Sequence, residues 1–101
     1  MGRRSVDNIE LERWRTLQSV DVLAFLADYS KQDASFVPRS GQVSTRWHIT
    51  AGRREFELLC TGSKFWDTRA NRGGGGALDL AMHLHGVGFK QAAHLLRSKG
   101  L

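Results

Sequence analysis

The chain has 101 residues, 41% of them hydrophobic, with three Trp and five Phe, which excludes a disordered chain and allows one domain with a modest core. Fifteen Lys and Arg against ten Asp and Glu give +5, which fits either a solvated basic surface or an anionic partner such as nucleic acid. The single cysteine, Cys60, excludes an internal disulfide and any cysteine-based metal site built by one chain.

Met1-Gly2-Arg3-Arg4 runs into Asp, Asn and Glu rather than the apolar run of a signal peptide. No apolar stretch approaches the ~20 residues that span a bilayer. A cytoplasmic protein without membrane attachment is expected. Residues 1–18 are charged, and Ile9, Leu11, Trp14 and Leu17 could form one apolar edge of a short helix or an arm on the domain. Ser19 is a good N-cap for a helix over 20–29, with Asp21 in its first turn and Val22, Leu23, Phe25, Leu26 and Tyr29 at helical spacing. Residues 31–42 are polar, contain Pro38 and Gly41, and read as a loop.

Three short strands follow. Residues 45–50 alternate, Ala51-Gly52 can turn the chain back, and residues 55–60 alternate in part. Thr61-Gly62-Ser63 makes a second turn, and Lys64-Phe65-Trp66-Asp67 supplies the third strand. Short Gly-containing loops between alternating runs favour an antiparallel meander.

Gly73-Gly74-Gly75-Gly76 then lead into a helix over 77–85, with Leu80, Ala81 and Leu84 inward and Gly86 as its stop. Four glycines bury no side chain and cost backbone entropy, so they imply positive φ or close approach of the backbone to something. Their place before a helix N-terminus, beside Arg69 and Arg72, makes a phosphate the first ligand to consider. A last helix over 88–99 faces the core with Phe89, Ala92, Ala93 and Leu96.

The positive charge is localised. Residues 1–45 are neutral, with six basic and six acidic side chains. Residues 46–72 hold six basic residues (Arg46, Arg53, Arg54, Lys64, Arg69 and Arg72) against Glu55, Glu57 and Asp67. Eleven of the fifteen cations are Arg, suited to bidentate phosphate contacts and to stacking on bases.

The run Lys64-Phe65-Trp66-Asp67, the glycines, Gly76-Ala77-Leu78-Asp79-Leu80-Ala81-Met82-His83-Leu84 and Gly88-Phe89-Lys90-Gln91-Ala92-Ala93-His94-Leu95-Leu96 resembles the zinc-finger domain at the N-terminus of bacterial DnaG-type primases. Val20-Asp21-Val22-Leu23 resembles that family's opening Val-Asp-Val-Ile segment. The likeness covers roughly 19–98 and is sharp over 64–96. Where the primase finger has Cys or His pairs, this chain has Trp66-Asp67 and Asn71-Arg72, so it looks closer to the zinc-free relatives that precede Toprim domains in plasmid and mobile-element primases. The resemblance implies an α+β domain over 19–101: a small antiparallel three-stranded sheet with an N-terminal helix and two C-terminal helices, zinc-ribbon-like but without metal. It also implies a template-binding or accessory module of DNA priming, with polymerising chemistry in other domains.

No metal or cofactor is expected. His48, Cys60, Asp67, Asp79, His83, His85 and His94 do not form the close pairs of a structural zinc site. Asp79 and His83 share a helical face, where a surface hydrogen bond is the simpler account. Packing of Phe65, Trp66, Phe56 and Trp47, at roughly 25 cal/mol per Å², would replace the metal. Cys60 reads as a buried thiol; pairing with His48 across a hairpin would lack an orienting third group. A catalytic role is not expected.

Arg46, Trp47, His48, Arg53, Arg54, Lys64, Trp66, Arg69 and Arg72 interleave cations with aromatics, the composition of a single-strand platform. With Gly73, Gly74, Gly75 and Lys90 they form the candidate site for single-stranded DNA. The competing account is that Trp47 and one of Phe65 and Trp66 are core. A second reading is a protein-interaction subunit that docks on a separate polymerase or helicase through the Trp14/Leu17 edge.

Overall fold

Backbone pairing between neighbouring segments of the chain organises this molecule, seen in a computed structural model that describes residues 6–39 and 43–101. Residues 1–5, and the 40–42 portion of the expected loop with Gly41, lie outside the described residues. Helices α1 (Asn8–Thr16) and α2 (Ser19–Leu26) come first. Strands β1 (Tyr29–Gln32), β2 (Thr45–Ala51), β3 (Arg54–Thr61), β4 (Lys64–Asp67) and β5 (Arg72–Gly75) follow, then α3 (Ala77–His85) and α4 (Phe89–Ser98). The strands form one antiparallel sheet in the order β1-β2-β3-β4-β5.

The α+β class holds, but the expected three-stranded sheet with three helices is corrected to five strands and four helices among the described residues. Both added strands are edges. Tyr29-Ser30-Lys31-Gln32 carries no apolar alternation, because an edge strand with exposed side chains is held by its backbone ladder to β2. Arg72-Gly73-Gly74-Gly75 is the other edge, laid against β4 where a loop was expected.

Alternation along the strands sends Ile49, Ala51, Phe56, Leu58, Cys60, Phe65 and Asp67 to one buried face. Leu80, Ala81 and Leu84 of α3, Val22, Leu23 and Leu26 of α2, and Ala92, Ala93 and Leu96 of α4 join the same core. The opposite face of the sheet has no helix over it among the described residues. Helix α1 adds Trp14, 1% exposed. Its Glu10, also buried, accepts from Arg97 Nε at 2.9 Å and Nη2 at 2.7 Å, a bidentate pair that ties α1 to α4. Burying an indole of this size contributes roughly 3 kcal/mol.

Three inward assignments fail. Phe25 and Phe89 are about half exposed, and Tyr29 lies on β1 rather than on α2. A helix buries only the stripe that a facing element covers, and the Phe25 and Phe89 rings stand at its margin. Ser19 is not the N-cap of α2. Gln18 holds that position, and the buried Ser19 hydroxyl lies 2.9 Å from Gly62 O and 3.1 Å from Lys64 O, fastening α2 to the β3–β4 turn.

Candidate nucleic-acid interface

The uncovered face of the sheet is assembled by register. Arg46 stands opposite Leu59, Leu59 opposite Trp66, and Trp66 opposite Gly73, one row across four strands. A second row runs Lys31, His48, Glu57, and a third runs Thr61, Lys64, Gly75. Strand parity therefore separates the two sheet tryptophans. Trp66 is on the open face and 43% exposed. Trp47 is on the core side, half-buried, with Nε1 donating to Thr45 Oγ1 at 2.9 Å.

Around Trp66 lies an open groove of about 730 Å³, walled by Val43, Ser44, Leu59, Thr61, Lys64, Trp66 and the Gly73-Gly74 backbone. Leu59 and the Trp66 ring supply apolar surface, Lys64 the charge, and the Ser44 and Thr61 hydroxyls, 2.7 Å apart, a polar end. A Cβ on Gly73 would run into Phe65 O and come 2.9 Å from Trp66 Cε3, so the indole rests against the bare strand. A Cβ on Gly74 would come 2.9 Å from the Asp79 side chain, where α3 meets β5. The backbone approach that these glycines require is thus to the protein itself.

The amides expected to bind a phosphate are also largely committed. Gly75 N donates to Asp79 Oδ2 at 3.1 Å and Gly76 N to Ser63 O at 2.9 Å. Asp79 therefore caps the strand end and does not pair with His83. His83 pairs with Asp67: Nε2 lies 2.7 Å from Oδ2, with the two side chains 8% and 5% exposed. Burial alone would raise the Asp67 carboxyl. The Ala70 amide, the His83 ring and the Arg69 amide outweigh that and hold it below the ordinary carboxylate range. An ionised Asp67 has no proton to give, so His83 Nε2–H is the donor.

The remaining candidates divide. Arg46 gives Nε and Nη2 to Asp33 Oδ2 at 2.9 and 2.6 Å and lies over the Phe36 ring. Arg54 stacks on Phe56 and donates to Leu84 O at 3.3 Å, near the C-terminus of α3. Arg53 is exposed in the β2–β3 turn at φ 70°. Arg69 and Arg72 flank the exposed β4–β5 turn beyond Trp66, and neither has a carboxylate partner among the described residues. Lys90, in the first turn of α4, belongs to the helical layer and not to this face.

Register thus puts Arg46, Lys64, Trp66, Gly73 and Gly75 on the open face, with Arg46 spent on Asp33, and Arg69 lies in the adjoining turn. Arg72, opposite Asp67, takes the parity of the helix-covered face with Trp47 and Arg54, and Lys90 lies on α4. Leu59 and Thr61 were missed, although their alternation with the buried Leu58 and Cys60 was the available signal. Register Thr45–Cys60 and His48–Glu57 separates Cys60 from His48, and burial pushes the thiol up. Among the described residues no group of three or more His, Cys, Asp or Glu could hold a metal, and no helix is long and apolar enough to cross a membrane. No family model, curated protein or solved structure matches the chain.

Proposed function

We propose that this chain is a non-catalytic, cytoplasmic module that binds single-stranded DNA, serving as a template-binding or accessory part of a priming system on a plasmid or mobile element. The observation that carries the binding reading is Trp66. A large ring rests one side on a glycine strand, leaves the other open, and has Lys64 before it and Arg69 and Arg72 after it. A base stacks on such a ring whatever its identity, and cations to either side follow its phosphates. The priming context rests on the likeness of residues 64–96 to primase fingers.

The test is a titration of labelled oligo(dT). Binding at ~50 mM salt should weaken as salt rises, with a log–log slope of about 0.7 per phosphate contact. Arg69→Ala combined with Arg72→Ala should flatten that slope while the domain stays folded. No binding by the wild-type protein at that salt would sink the reading. A second reading, docking on a separate polymerase or helicase, is favoured by the exposure of Ile9 and Phe89 on the helical layer. The Trp14 edge first considered for it is in the core. Co-purification of such a partner without oligonucleotide binding would select it.

A further inference from the structure

We infer that the buried Asp67–His83 pair is a positioning device: it holds the β4–β5 turn, which carries Arg69 just past the Trp66 strand, and so makes α3 the support of the binding edge. The inference rests on the single-strand reading of that edge. Asp67 ends β4, and its two oxygens do different work. Oδ1 accepts the Arg69 and Ala70 amides, both at 3.0 Å, and shapes the turn from within. Oδ2 accepts from His83 across the sheet–helix junction. His83 is fixed in turn by the Phe56 and Phe65 rings, centroids 5.6 and 5.4 Å away.

The turn has little else to hold it. Among the described residues its other bonds to the sheet are long, Thr68 N to Glu57 O at 3.4 Å and Thr68 Oγ1 to Glu57 Oε2 at 3.3 Å. Helix α3 is anchored independently by Asp79 on Gly75 N and by the core residues Leu80 and Leu84. Neither Asp67 nor His83 can touch a nucleic acid from its buried position. Their effect is to order the turn in advance, so that a strand does not have to order it on binding.

The test compares His83→Leu, which fills the space without a donor, with His83→Gln, which keeps an N–H for Asp67. Three quantities are read for each: oligo(dT) Kd, its salt slope, and amide hydrogen exchange at Arg69 and Ala70. His83→Leu should weaken binding on the order of tenfold, lower the slope by about 0.7, that is one contact, and speed exchange at both amides. Quenching of tryptophan emission at saturation should persist, because the platform is intact. His83→Gln should stay within about twofold of wild type. Where His83→Leu does not fold, Asp67→Asn makes the same comparison. Unchanged affinity in a folded His83→Leu, or equal loss in His83→Gln, overturns the inference. If the wild type binds no oligonucleotide, the binding reading falls by itself. Exchange then judges the tether alone, faster exchange in His83→Leu upholding it and unchanged exchange overturning it.

Discussion

The open face of the sheet has two halves built from the same residue types and used in opposite ways. On β1, β2 and the first part of β3 the charges answer one another. Arg46 is clasped by Asp33, and His48 lies 4.0 Å from Asp33 and 3.6 Å from Glu57. The Ser35 hydroxyl first, and then the Arg46 guanidinium, hold the Asp33 carboxyl well below its usual range. On β4 and the β4–β5 turn, Lys64 and Arg69 are exposed and unpaired among the described residues, beside or just past an aromatic ring with one bare side. An arginine closed by a carboxylate has lost its fork for phosphate; one left open has not. The difference lies in which strand stands opposite, not in the arginine.

Removing the support of the open half should have the largest effect. Asp67→Ala leaves His83 and the Arg69 and Ala70 amides without their acceptor and should cost roughly 3 kcal/mol in urea or thermal unfolding. Because the folded-state pKa of Asp67 is depressed, its stabilisation is present above the ordinary carboxylate pKa and is lost as pH falls through the folded value. The stability gap between wild type and Asp67→Asn should therefore be wide at neutral pH and close as the pH drops below about 4.

Next in size is a contrast inside the glycine run. Gly73→Ala drives a Cβ into the backbone of β4 and should cost about 2–3 kcal/mol. Gly75→Ala meets only Lys64 Cγ, at 3.7 Å, and should change unfolding by less than about 0.5 kcal/mol. Equal losses at the two positions would show that the run is kept for something other than close packing.

The smallest effect is the one that sharpens the comparison most. Trp66→Ala should weaken oligo(dT) binding about tenfold, near 1.4 kcal/mol, with little change in unfolding. Trp47→Ala should do the reverse, because its ring packs on the core. Loss of binding in Trp47→Ala alone would place the platform on the wrong face.

Much of this was legible. The β2–β3–β4 meander, α3 with its Leu80, Ala81 and Leu84 stripe, and the buried Cys60 all follow from periodicity and turn chemistry. The edge strands were not. A ladder of backbone bonds asks nothing of side chains, so Tyr29 passed for the end of a helix, Lys31 and Gln32 for loop, and Arg72–Gly75 for a phosphate cradle. The partner of His83 was equally hidden, since Asp67 is sixteen residues away and reaches it only because β4 and α3 meet.

What the order of residues determined by itself was local: where apolar faces recur, where the chain turns, and that cations crowd the middle of the protein. Which cations are spent on the fold and which stay open was decided by strand register and by the seating of α3. Both are set by contacts between residues far apart in the chain, because the energy of an ion pair depends on where its partner stands.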